Sequence, residues 1–337
     1  MSKSSIMFRS CYSLVGAISF EYNKDGGIYA NPETGYFTYS PVDLWVNGFR
    51  VTGNNKDDIG NLSHLGQGRI SYDYTTNTLT MYNATVIKPN GLVNKVVGLE
   101  SNIDGLTIKL VGTNLINMTD TTAIVLKKSA TIQGPGTLTA QSSSHNGIYI
   151  YGGTLSVTGG ATLNSEASSA PATNKSGFGI YGRTVAKLDP RSGGTTITYY
   201  GSLAIEGYNT KVQSIGSMAS VAALDALIYA TGSTLKVVDP STFSEVNGYF
   251  NNHNVCTRSS SGLSGYTYTP TTALVRISAP TIQQGDVNED GTVDDTDVAA
   301  LADMLVGKTP FSATADVDAN GTVSLADLTT LVNIIKN

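Results

Sequence analysis

Two segments near the C-terminus carry the residues best suited to chemistry. DVNEDGTVDDTD (286–297) is followed by VAALADMLVG, and DVDANGTVSLAD (316–327) by LTTLVNIIKN, so the two start 30 residues apart. Each places an oxygen-bearing side chain at positions 1, 3, 5, 9 and 12. These are Asp286, Asn288, Asp290, Asp294 and Asp297 in the first copy, and Asp316, Asp318, Asn320, Ser324 and Asp327 in the second. Gly291 and Gly321 hold position 6. Hard oxygens at this spacing suit Ca²⁺, which takes about six to eight of them, provided the loop turns sharply at position 6. Position 7, Thr292 or Thr322, then supplies its backbone carbonyl. Position 8, Val293 or Val323, is apolar in both copies and is placed to pair the loops through a short β contact. Two Ca²⁺ sites are expected.

The pattern departs from an ordinary EF-hand in two ways. Position 12 is Asp rather than Glu, so its reach is shorter. No entering helix precedes either loop, because Pro280 and Gly285 lie ahead of the first and Pro310 ahead of the second. Exiting helices are well marked. Val298, Leu301, Ala302 and Leu305 follow helical spacing, as do Leu328, Leu331, Val332 and Ile335. A duplicated loop–helix with Asp at position 12 and no first helix resembles the type I dockerin family, over about residues 285–337. That resemblance implies an extracellular or cell-surface protein docked on a cohesin module of a scaffold or surface protein, as in a cellulosome. In the family, loop positions 10 and 11 help choose the cohesin. Carried over, these are Asp295 and Thr296 in the first copy, and Leu325 and Ala326 in the second. One face is polar and the other apolar, which puts symmetric two-way binding in doubt. The apolar pair could equally be core.

Charge sets these loops apart from the rest. Residues 1–280 hold 19 Lys+Arg against 16 Asp+Glu, whereas residues 281–337 hold 2 against 10. A tail with eight excess negative charges repels itself unless a cation neutralises it. The whole chain has 337 residues, a net charge of −5 and a pI near 5.2, which excludes a nucleic-acid binder by bulk attraction. No run of about 18 apolar residues is present, so no membrane-spanning helix is expected. Cys11 and Cys256 have no metal or redox spacing and could pair or stay free. The N-terminal stretch CYSLVGAISF (11–20) is broken by serines and lacks a clean cleavage site. It reads as the interior of a longer precursor rather than a signal peptide.

The body that would carry the loops reads as strands. Only 14% of residues are charged, against roughly 25% in an average domain, while Gly (36) and Tyr (18) are abundant. Short apolar runs punctuated by Gly fill 96–240, and a unit of Gly, a small residue and Thr-Leu recurs at Gly136, Gly153, Gly160 and Gly232. Ile148 and Ile150 alternate with Tyr149 and Tyr151. Such a pattern predicts the stacked coils of a β-helix over a β-sandwich, since each coil must bury its apolar side against its neighbour. SMASVAALDALIYA (217–230) reads as an inserted helix. VDLWVNGFRVT (42–52) predicts a hairpin through Asn47-Gly48, and RISYDYTTNTLTMYNATV (69–86) two strands joined at Thr75-Thr76-Asn77. The first 41 residues and 241–280 are expected to close the two ends of the stack. The fold expected is mainly β. It is a parallel β-helix (β-solenoid) body with an N-terminal β-hairpin region, plus a small α-helical dockerin. The divisions are 1–95, 96–280 and 285–337. Over about 42–165 the chain is also similar to a module of secreted and surface proteins of gut-type anaerobes. That module precedes β-helical coils and is described as carbohydrate-binding.

Catalytic chemistry is hard to find. Glycoside hydrolysis needs two carboxyl groups across a cleft, and the body offers only Asp57-Asp58 in a polar loop. A lyase would need a base such as Lys127, Lys128, Arg183, Lys187 or Arg191. His64, His145 and His253 lack metal spacing. Aromatic rings can stack on the C–H faces of sugars, which makes Trp45, Tyr149, Tyr151, Tyr199 and Tyr200 candidates for polysaccharide binding. Three readings follow. In the first, a non-catalytic docked protein has a body that binds polysaccharide. The others are a docked polysaccharide lyase or glycoside hydrolase, and a structural spacer or adhesin.

Metal and folding should be coupled in the tail, because two short helices bury little apolar area once clustered carboxylates repel. EDTA is expected to abolish the helical circular dichroism of the tail while leaving the β signal of the body. A helical signal unchanged by chelation would contradict that coupling.

Overall fold

The computed structural model describes residues 41–59, 67–87, 96–168, 176–187, 196–239, 241–261, 265–281, 283–288, 292–312, 314–318 and 322–336; the side chains of 184–187, 196, 197 and 199 lie outside the description. The expectations for residues 1–40, including Cys11 and the N-terminal stretch, and those for His64, Arg191, Asp290, Gly291, Asn320 and Gly321 fall outside the described residues. So do those for the side chains of Lys187 and Tyr199.

The strands begin with two hairpins. β1 (Leu44–Val46) and β2 (Phe49–Arg50) turn through Asn47 and Gly48, both at positive φ (50° and 83°), as the Asn-Gly signal requires. β3 (Gln67–Asp73) pairs antiparallel with β4 (Thr78–Ile87). β4 then runs parallel to two later strands at once. Beyond it the chain repeats a group of three strands. The first group is β5 (Leu99–Ser101), β6 (Leu106–Val111) and β7 (Thr113–Met118). The second is β8 (Ile124–Leu126), β9 (Ala130–Gln133) and β10 (Thr137–Ser142), and the third is β11 (Ile148–Ile150), β12 (Thr154–Thr158) and β13 (Thr162–Ala167). The fourth begins with β14 (Phe178–Tyr181), is interrupted by a hairpin of β15 (Arg183–Lys187) and β16 (Thr196–Tyr200), and resumes with β17 (Ser202–Ile205) and β18 (Lys211–Gly216). β19 (Ala219–Ala222) and β20 (Leu227–Tyr229) start a fifth.

Each strand pairs in parallel with its counterpart one repeat on. Leu99, Ile124, Ile148, Ile180 and Val221 stand in one row across β5, β8, β11, β14 and β19. Their side chains are 0–1% exposed. The row explains the alternation in the sequence, since in-register parallel pairing stacks like positions on one face. The Gly-Thr-Leu units mark where a strand restarts. Leu138, Leu155 and Leu163, each two or three residues after such a glycine, are 0% exposed. Gly153 and Gly160 turn at positive φ, 74° and 75°. Buried serines close the corners, with Ser142 Oγ donating to the Thr121 carbonyl and Ser165 Oγ to the Gly179 carbonyl. The pairings among the described residues are the multiple parallel sheets expected of a β-helix.

At the far end the pairing becomes antiparallel. β26 (Leu274–Ser278) pairs with both β18 and β21 (Thr234–Val238), and β21 pairs with β22 (Glu245–Asn247). β23 (Tyr249–Asn251), β24 (Asn254–Ser260) and β25 (Tyr266–Pro270) form a separate three-stranded sheet. The segment expected to be helical, 217–230, instead forms β19 and β20. The open edge of β14 takes Ala219, Val221 and Ala222 as its next row, and that ladder outweighs the helix preference of an Ala-rich stretch. After the body come α1 (Asp295–Leu305) and α2 (Leu325–Lys336). Their core, built on Val287, Leu301, Ala315, Val317 and Leu331, is distinct from the body's, which runs from Leu44 to Ala279.

Asn114 shows how the body manages a bend. It is fully buried, and its Oδ1 accepts from the Ala84 amide at 2.8 Å, where β4 passes from one neighbour strand to the next. Its Nδ2 donates to the Val111 and Thr137 carbonyls, both at 3.3 Å. Asn114→Ala orphans the Ala84 amide, a loss of about 1–3 kcal/mol. At about 2–4 °C per kcal/mol for a domain of this size, thermal melting of the body should fall by about 5 °C.

Candidate functional site: two acidic loops

Both loops are organised by their last residue. Asp297 and Asp327 are fully buried. One oxygen of Asp297 accepts from the Asn288 amide and the other from the Asp294 amide, each at 2.9 Å. Asp327 repeats the arrangement with the Asp318 amide at 3.1 Å and the Ser324 amide at 2.8 Å. Position 12 thus ties positions 3 and 9 together in each copy. It also starts the helix, because Asp294 is the N-cap of α1 and forms a capping box with Asp297. In α2 the Ser324 hydroxyl accepts from the Ala326 amide at 3.2 Å. Burial pushes the Asp327 carboxyl upward, but its hydrogen bonds from Asp318 and Ser324 outweigh that and hold it below the usual carboxylate value. The sequence assigns Asp297 and Asp327 as ligands only. The Ser/Asp-x-x-Asp spacing ahead of each helix was the signal for the second role.

The donors converge as hard-ion chemistry requires. Asp316, Asp318 and Asp327 present carboxylate oxygens within 4.8 Å of one another. Such a group of oxygens fits Ca²⁺ and, without a cation, concentrates negative charge. In the first loop Asp286 is buried at 4% exposure, and Asp297 mirrors Asp327. The Asn288 amide group donates to Thr296 Oγ1 at 2.8 Å, and Asp294 accepts from Thr296 N and Oγ1. Thr292 and Thr322 are exposed. Val293 and Val323 do not form strands; both pack into the core between the helices. Of the predicted helix faces, Leu301 and Leu331 are fully buried, with Val298, Leu305, Leu328 and Ile335 packed around them. Ala300, Met304 and Ile334 also join that core, which the spacing alone did not single out.

Loop positions 10 and 11 lie at the first turns of the helices. Asp295, Thr296, Leu325 and Ala326 are all exposed. Leu325 is 71% exposed, so the possibility that the apolar pair is core does not hold. Leu325 and Ala326 face outward at the start of α2, while Leu331, further along, enters the core.

The described aromatic candidates lie along one outward row of the body or beside it. Tyr149 and Tyr151 lie 5.5 Å apart between ring centres, and Tyr149 is 5.6 Å from Tyr181, which stacks on Phe178 at 4.4 Å. Trp45 shares the outward row of this sheet, since Trp45, Glu100, Val125, Tyr149 and Tyr181 are successive register partners. Its indole is covered by Arg50 at 5.5 Å. Tyr200, stacked on His253 at 4.3 Å, lies close to this group, since the carbonyl of its register partner Arg183 accepts from the Tyr149 hydroxyl at 2.9 Å. Tyr181 and Phe178 were missed. The recurring Gly-Ile-Tyr at 147–149 and 179–181 is the signal that places Tyr181 beside Tyr149.

The catalytic candidates have ordinary partners. Asp57 pairs with Lys56, Lys127 with Glu100, and the His145 ring with Ser144 Oγ. Cys256 is a buried thiol pushed above its usual pKa by burial, so it is a poor nucleophile.

No curated protein and no solved structure matched the chain. Residues 284–336, the tail of this chain, match the family model of the dockerin type I domain.

Proposed function

We propose that this protein is a non-catalytic, extracellular component that docks on a cohesin through its Ca²⁺-loaded tail. Docking on a cohesin is what a type I dockerin implies. Asp286, Asn288, Asp290, Asp294, Asp297 and the Thr292 carbonyl would hold one ion. Asp316, Asp318, Asn320, Ser324, Asp327 and the Thr322 carbonyl would hold the other. The observation that supports the docking face is the exposure of Leu325, a large apolar side chain in the first turn of α2 beside the likewise exposed Ala326. Its 30-residue counterpart is Asp295, so the two faces differ in chemistry and one of them dominates. No helix among the described residues is long and apolar enough to cross a membrane. In a pull-down of the full chain by cohesins of its host, calcium should permit capture and EDTA prevent it. Asp286→Ala combined with Asp316→Ala should abolish capture, and unchanged capture by that variant would refute the mechanism.

For the body, the reading is a β-solenoid over 96–280 preceded by the β-hairpin region of 1–95, with β4 pairing both into a hairpin and onto the repeats. Its outward aromatic row supports polysaccharide binding. Three strand steps separate Trp45 from Tyr149, about 14 Å at the usual strand spacing. Tyr151 is 43% exposed beside that row, and the Lys127–Glu100 pair provides polar groups nearby. A sugar chain lying along the row would set C–H faces on rings and hydroxyls against the ion pair. On a glycan array, Tyr151→Ala should weaken whatever signal the wild-type body gives by about 1 kcal/mol, the scale of one aromatic contact. Silence of the wild-type across the array would favour the spacer instead.

A further inference from the structure

Outside the loops themselves, one pair of contacts repeats with them and crosses between them. Gln284, two residues before the first loop, donates from Nε2 to the Val317 carbonyl in the second loop at 2.7 Å. Thr314, two residues before the second loop, donates from Oγ1 to the Val287 carbonyl in the first at 3.0 Å. Each donor thus sits at the same offset from its own loop. Each acceptor is position 2 of the other loop. Val287 and Val317 are buried, at 1% and 2% exposure, in the core that the two halves share.

The position of these carbonyls matters. Position 2 lies between the ligand positions 1 and 3, so its peptide planes set how Asp286 and Asn288, or Asp316 and Asp318, leave the backbone. A loop that closes on an ion fixes those planes. The fixed carbonyl then holds the side chain that leads into the other loop. Neither Gln284 nor Thr314 offers a ligand within the twelve positions, so their role is distinct from coordination.

We infer that Gln284 and Thr314 are positioning residues that couple the two ion sites, so that filling one loop raises the affinity of the other. The coupling is reciprocal because the two contacts are reciprocal and because linkage requires it. This inference rests on the two-ion reading above.

The test titrates the metal-stripped full chain with calcium chloride in a calorimeter. The wild-type is expected to take up two ions with a Hill slope above 1. Thr314→Val keeps the side-chain shape and removes the hydroxyl, and Gln284→Ala removes the amide. Each should weaken the second uptake step by about threefold to tenfold, the worth of one net hydrogen bond, and bring the slope to 1. Thr314→Ser should behave as the wild-type. The decisive arm disables the first loop with Asp286→Ala. In that chain Gln284→Ala should leave the affinity of the second loop unchanged, because there is no occupancy to transmit. Equal weakening in that background, or wild-type slopes in both single variants, would overturn the coupling and make these side chains structural props. Uptake of one ion or none by the wild-type would fail the two-site reading itself, and the coupling with it.

Discussion

One fully buried carboxylate at the last position of each acidic loop sets the loop's shape and starts its helix. Asp297 and Asp327 each hold two backbone amides that are six positions apart. An amide pair satisfies part of the carboxylate's hydrogen-bonding capacity and lowers the cost of burying its charge. The remaining lone pairs still face the other donors of the loop, as the 4.8 Å grouping of Asp316, Asp318 and Asp327 shows. The atoms that shape the loop therefore also stand among its other oxygen donors. A Glu at that position would extend the carboxylate one methylene further from both amides, which gives the shorter Asp a physical reason for standing there.

The body is held by a different physics. Its strands carry few charges, and its order comes from parallel ladders that stack Leu99, Ile124, Ile148, Ile180 and Val221 in one row. Backbone groups are satisfied between repeats, and corner groups by Asn114, Ser142 and Ser165. None of this needs a cation. Apolar burial and ladder pairing respond weakly to ionic conditions, whereas the tail gathers carboxylates whose repulsion only a cation relieves. One chain thus joins a body ordered by apolar ladders with a tail that gathers carboxylates.

The loops were legible because coordination chemistry fixes residue type and spacing within twelve positions. The repeats were legible for a similar reason: alternation and Gly-Thr-Leu units are local marks of stacked strands. What escaped was set by distant partners. An Ala-rich stretch at 217–230 looks helical by itself, and only the unpaired edge of β14 makes it strand. The β15–β16 hairpin breaks the fourth repeat, yet its two halves read as ordinary strand runs. Trp45 joins the row of Tyr149 through three successive registers, none of which a sequence displays. Gln284 and Thr314 lie just outside the motif, where a ligand search stops.

The two halves of the tail are related by a 30-residue offset, and comparison across it separates what the fold needs from what recognition can vary. Val287 matches Val317, Leu301 matches Leu331, and Asp297 matches Asp327; all six are buried. Gln284 and Thr314 differ in type but make the same crossing contact. At positions 10 and 11 the match fails altogether, with Asp295 and Thr296 against Leu325 and Ala326, all exposed. Thr296 is engaged with Asp294 and Asn288, whereas Leu325 projects at 71% exposure. Identity where the halves bury side chains and divergence where they meet solvent is what a duplicated module shows when its interior is constrained by packing. Its surface is then free to diverge.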